Sequence, residues 1–179
     1  MKTTAVYLTD LLILRELFAP EEEFYLIDPA GRVIGDKDQL PSPVRKVPEA
    51  EDRPSFVVDL RNDDFVLYSS SIGEERWLSF DFINNPDGTI RWFYPSAGMT
   101  AGHLSLYNAA SVKARLYKTI TRIAFRLGQA HRLASGTFRV QQKLFERVQM
   151  NCGIMIGEAA SFFTGTRGAT RKLVVEIHN

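Results

Sequence analysis

The stretch WLSFDFINNPDGTIRWFY, residues 77–94, decides the fold class. It places two aromatic and β-branched runs, 77–83 and 90–94, on either side of Asn84-Asn85-Pro86-Asp87-Gly88. Such runs suit a pleated, half-buried surface, and the proline and glycine between them supply the geometry of a tight hairpin connection. Alternation along the first run puts Leu78, Phe80 and Phe82 on one face and Trp77, Ser79 and Asp81 on the other. That spacing predicts a strand with one side buried and one side wet.

Working upstream, residues 56–60 and 65–69 read as further strands, which makes an antiparallel meander of four or more. Residues 24–27, the turn Asp28-Pro29-Ala30-Gly31, and Val33 with Ile34 predict a hairpin. Apolar side chains at Val6, Leu8, Leu11, Leu12, Leu14, Leu17 and Phe18 predict a helix over 5–18, ended by Pro20. Glu21, Glu22 and Glu23 read as a solvated approach to the first strand. Residues 35–54, with Pro41, Pro43, Pro48 and Pro54 among charges, predict a long surface loop or linker.

Downstream of the small residues 96–102 the period changes from two to that of a helix, over about 104–127. Val112, Leu116, Ile120, Ile123 and Leu127 share one face, Lys118, Arg122 and Arg126 repeat every four residues on another, and Gly128 is a reasonable stop. A second helix is expected around 138–148, where Arg139, Lys143 and Arg147 repeat the fourfold spacing, and two strands, 154–163 and 173–178, close the chain. The expected fold is α+β: an antiparallel β-meander, a long basic helix, and a C-terminal β-hairpin.

Charge divides the 179 residues unevenly. Residues 1–102 hold 10 Lys/Arg against 18 Asp/Glu, and residues 103–179 hold 12 against 3, so a net +1 conceals halves of −8 and +9. The expected organisation is an acidic strand-rich region, 1–102, and a basic region, 103–179, with one continuous domain as the alternative. Either the back half meets an anionic partner or the two halves pair electrostatically. The 45% hydrophobic and 24% charged composition is that of a globular protein. No apolar run reaches the ~20 residues of a spanning helix, and no membrane partner is expected. The apolar N-terminal segment is interrupted by Asp10 and Arg15 and lacks a small-residue cleavage site, so it reads as folded chain. One cysteine, Cys152, permits no internal disulfide and suits a reducing compartment, so a cytoplasmic location is expected.

No catalytic constellation is complete. His103, His131 and His178 are scattered and lie beside no nucleophile motif, and with one cysteine they match no zinc spacing. Asp59, Asp63, Asp64, Asp81 and Asp87 do not follow the calcium-loop pattern. Cys152 reads as a packed, inert residue. The basic helix row, with Tyr107, Tyr117 and Phe125 nearby, would suit phosphates and stacked bases, yet the aromatics share no face with the row and no nucleic-acid motif is present. A solvated face, or one docked on the acidic half, is the preferred reading.

The most specific feature is SFFTGTRGATRKLVVEI, residues 161–177: strand, glycine loop, strand. Glycine lets main-chain N–H groups approach an anion, and Arg167, Arg171 and Lys172 add positive charge, so Gly165, Thr166, Arg167, Gly168, Arg171 and Lys172 are the candidate phosphate or nucleotide-binding residues. A plain hairpin whose glycines only satisfy turn geometry is the alternative. The loop is neither a Walker loop nor the three-glycine kinase pattern.

This unit, with Ile90-Arg91-Trp92-Phe93-Tyr94-Pro95 and Leu106-Tyr107-Asn108, resembles the N-terminal region of bacterial aminoglycoside-phosphotransferase-like, kinase-fold proteins. The resemblance spans residues 75–179 and its motifs are moderately specific. It implies that Gly165 to Lys172 are the nucleotide-covering loop of a kinase small lobe, with ATP and magnesium as cofactors. It also implies that the ATP-anchoring lysine and catalytic aspartate lie beyond Asn179, so residues 1–179 would not transfer phosphate alone. The other functional expectations are a non-catalytic module for an anionic ligand or nucleic acid, and a structural or interaction protein.

Overall fold

The computed structural model describes residues 8–27, 33–35, 55–61, 64–73, 76–97, 104, 109–155, 159–165 and 173–178. In chain order the elements are α1 (Leu8–Phe18), β1 (Glu23–Ile27), β2 (Val33–Gly35), β3 (Ser55–Asp59), β4 (Phe65–Ser69), β5 (Trp77–Asn84), β6 (Ile90–Pro95), α2 (Val112–Arg126), a 3-10 turn (Ala130–Leu133), β7 (Gly136–Gln141), α3 (Gln142–Cys152), β8 (Ala159–Phe163) and β9 (Val174–His178). The content is α+β. The expected loop at 36–54 lies outside the described residues. The chain forms two compact units, Met1–Leu78 with Phe138–Asn151, and Ser79–Thr137 with Cys152–Asn179. This division by contact is a different cut from the division by charge at Gly102.

In the first unit the strands run in the order β2-β1-β3-β4-β7. β1 pairs antiparallel with β2, in the expected hairpin, and parallel with β3, while β3 pairs antiparallel with β4. β3 carries Phe56, Val57 and Val58 fully buried in succession, a strand covered on both faces. α1 buries Leu11, Leu14, Leu17 and Phe18 and ends where Ala19 N donates to Arg15 O, just before Pro20.

Two expectations are corrected in this unit. The meander does not continue through β4, because its second neighbour is β7, in parallel register with Phe65 opposite Phe138 and Leu67 opposite Val140. The facing rings of Phe65 and Phe138 stack at 5.0 Å and 11°. Residues 138–141 are therefore strand, and the fourfold basic spacing straddles a strand-to-helix junction, with Arg139 on β7 and Lys143 and Arg147 on α3. Buried Gln141 extends the β4 ladder with its side chain, accepting from Ser69 N at 2.8 Å and donating to Ile72 O at 3.4 Å. The acidic triplet is likewise not simply solvated. Glu22 is buried, its carboxylate meets Arg147 Nη1 at 2.7 Å, and its carbonyl accepts from Arg15 Nε at 3.2 Å. A buried carboxylate needs such partners to offset its desolvation.

In the second unit β5, β6, β8 and β9 follow one another, each antiparallel to the next. Phe80, Phe93 and Phe162 form its aromatic centre, with Phe93 and Phe162 stacked at 4.6 Å and Phe80 edge-on to both. The expected wet face of β5 holds for Trp77 and Ser79, which are exposed, but not for Asp81, which is 2% exposed. Ser96 Oγ and Thr137 Oγ1 donate to Asp81 Oδ1 at 2.8 and 3.1 Å, which satisfies that oxygen inside the fold. Burial, and then Asp81, pushes the cross-strand Tyr94 phenol up from its ordinary pKa, so it stays protonated.

α2 is shorter than the expected 104–127. Ser111 Oγ caps it by accepting from Ala114 N, and Gly128, at φ 66°, ends it. The side that α2 buries carries Thr121 and Phe125, the latter against Tyr94 at 5.0 Å.

Asp59 yields a pH prediction. Hydrogen bonds from the Arg61 guanidinium, at 2.5 to 3.0 Å, hold its carboxyl below the ordinary value against the opposing effect of burial. A depressed folded pKa contributes stability that is complete above the unfolded pKa and is lost as pH falls through the folded one. The Tm difference between the wild type and Arg61→Gln is expected to be present at neutral pH and to shrink below about pH 4. A difference independent of pH in thermal melts would refute the linkage.

Candidate ligand cleft

The β5–β6 hairpin builds this site from its turn. Asn85 N donates to Thr89 O at 2.7 Å, Gly88 N donates to Asn85 O at 3.0 Å, and Gly88 takes φ 87°. Asp87 Oδ1 accepts from both Thr89 N and Thr89 Oγ1, so its charge is committed to the turn. A register shift between Ile83 and Asn84 bends the end of β5.

Beside this turn lies an open cleft of about 330 Å³, lined by Ile83, Asn84, Asn85, Pro86, Arg91, Trp92 and Tyr117. The volume falls at the lower end of the range for small-molecule sites. Among the described residues its lining combines one cation, Arg91, with two aromatic side chains and two amides, and includes no carboxylate. Trp92 is held by the Phe163 ring at 4.3 Å. Tyr117 arrives from α2, which is positioned by the Phe125 and Tyr94 contact.

The cleft is bonded directly to the start of the glycine loop. Asn85 Nδ2 donates to Thr89 Oγ1 at 3.0 Å and to Gly165 O at 3.3 Å. Thr164 N donates to Arg91 O at 3.0 Å, and buried Thr164 Oγ1 donates to Ile90 O. The last residues before the loop are therefore anchored to the strand that carries Arg91. Gly165 has φ 73°, a left-handed conformation that favours glycine. Of the six residues singled out from the sequence, Gly165 alone is described. Thr166, Arg167, Gly168, Arg171 and Lys172 lie outside the described residues.

Other candidates resolve differently. Tyr117 lines the cleft, Phe125 is core, and Tyr107 lies outside the described residues. Asp59 is engaged by Arg61 and Asp87 by Thr89, and among the described residues no group of three or more His, Cys, Asp or Glu could hold a metal ion. His131 is exposed in the 3-10 turn. Cys152 is exposed rather than packed, and desolvation by its neighbours still pushes its thiol above the ordinary pKa. Asn84 and Asn85 were legible only as turn formers. The adjacent amides beside an arginine-aromatic pair were the available signal, and only the fold turns them toward one cleft.

Gly165→Ala is expected to destabilise the chain by about 1–2 kcal/mol, because a Cβ is disfavoured at that backbone conformation. Gly165→Asn should cost less, since asparagine tolerates the left-handed region. Urea unfolding of both variants checks the order, and equal losses would place the effect elsewhere.

No protein-family model, no curated protein and no solved structure matches this chain.

Proposed function

We propose that the chain is a nucleotide-binding, non-catalytic portion of a kinase-like phosphotransferase, with the cleft beside the β5–β6 turn as part of its ligand site. The observation that carries the reading is the hydrogen bond from Asn85 to Gly165, which ties the start of the glycine loop to a residue of the cleft wall. Arg91 supplies a multidentate donor for phosphate, Trp92 and Tyr117 supply apolar surface for a base, and Asn84 supplies an amide for its edge.

ATP and magnesium are the cofactors of the resembled family. The described lining fits the nucleotide and not the metal, because no carboxylate is among the described residues of the cleft. Magnesium is then carried by the nucleotide, and nucleotide binding is expected to survive chelation. The described residues bind and orient, with no general base beside the cleft to move a proton.

Calorimetric titration with ATP tests the proposal. Arg91→Gln is expected to weaken binding on the order of tenfold, the scale of one charge-assisted hydrogen bond, and Tyr117→Ala by less. Binding should be little changed by EDTA. An absence of ATP binding, or binding unchanged in Arg91→Gln, overturns the reading. Salt-sensitive binding of an oligonucleotide in its place favours the nucleic-acid alternative.

A further inference from the structure

α2 faces outward with the side that its sequence suggests should be buried. Val112 is 83% exposed, Leu116 59%, Ile120 48%, Ile123 51% and Leu127 68%. At about 100° per residue these five fall within an arc of about 80°, a continuous aliphatic ridge roughly 22 Å long. Thr121 and Phe125, on the opposite side, are the residues buried in the fold. Scattered exposed apolar side chains need no explanation, but a contiguous ridge on one helix marks a contact surface.

The surrounding charge restricts what that surface can meet. Residues 88–145 hold nine Lys and Arg and no Asp or Glu. On α2 the exposed side chains of Arg115, Arg122 and Arg126 lie along one margin of the ridge, and Lys113 lies toward the other. A second copy of the helix would bring like charges together, which disfavours self-pairing. The apolar steps of four, four, three and four residues average more than 3.6 and extend over about two heptads. A coiled-coil partner needs a 3.5-residue repeat sustained over three or four heptads. The straight ridge suits a flat surface, and its basic margin suits an anionic one.

We propose that α2 is an interfacial helix that docks the protein on an anionic phospholipid surface, with the aliphatic ridge entering the acyl boundary and the arginines meeting lipid phosphates. No helix among the described residues is long and apolar enough to cross a membrane, and docking in the interface requires none. The sequence expectation of no membrane partner rested on spanning segments, and docking in the interface is a separate mode that it does not address.

The test is co-sedimentation of the 179-residue chain with phosphatidylcholine vesicles, with and without phosphatidylglycerol. Binding is expected only with the anionic lipid and should weaken with salt. The double variants Leu116→Gln with Ile123→Gln, and Arg122→Gln with Arg126→Gln, should each reduce partitioning on the order of tenfold or more. These positions are exposed, so the circular dichroism spectrum and Tm should stay unchanged, and two variants remove the ridge and the charge separately. Equal binding to neutral vesicles, no binding, or binding unchanged in both variants overturns the proposal. So does a dimer that the Leu116→Gln and Ile123→Gln pair disperses, or tighter binding to an acidic amphipathic peptide than to vesicles. The assay contains no nucleotide, so its result stands apart from that of the cleft.

Discussion

Asn85 holds the second unit's site together. Its side-chain amide donates within its own turn, to Thr89, and across to Gly165, eighty residues later in the chain. A buried amide left without acceptors would cost about 1–3 kcal/mol, so the turn and the β8 terminus stabilise each other. Thr164 repeats the logic through its donation to the carbonyls at the start of β6. The cleft is consequently tied to the β8 terminus by hydrogen bonds from Asn85 and Thr164. It does not depend on loop conformation alone.

Polar residues placed inside an apolar core mark the same principle elsewhere. Glu22 is neutralised by Arg147, Gln141 completes the β4 ladder, and Asp81 is received by Ser96 and Thr137. The contacts join residues 15 to 125 positions apart, and each replaces water that the surrounding apolar side chains exclude. Such pairings add little net stability, but breaking one exposes the whole desolvation penalty.

α2 shows the opposite case, in which a strongly patterned helix uses its less apolar side inward. Phe125 and Thr121 are its buried residues, and Phe125 packs on the Tyr94 ring in a cluster with Ala130 and Ile83. The five aliphatic residues are left outside. Amphipathic periodicity therefore identified the helix correctly and was silent on its orientation, since the pattern records two faces without recording which one meets the core.

Local chemistry was sufficient for what the sequence alone determined: the strand pairs 24–27 with 33–34 and 77–83 with 90–94, each within about a residue of its observed bounds, the turn at 84–88, the antiparallel pairing of the last two strands, and the stop at Gly128. Those features depend on side chains a few residues apart, where alternation, proline and positive-φ glycine act directly. Tertiary structure alone decided that β7 lies beside β4, that Asp81 and Glu22 are buried, and that Arg91, Trp92, Tyr117 and the two asparagines share one cleft. These outcomes depend on partners from 15 residues apart, as in Ser96 with Asp81, to 125, as in Arg147 with Glu22, and no local period carries information about a partner that far along the chain.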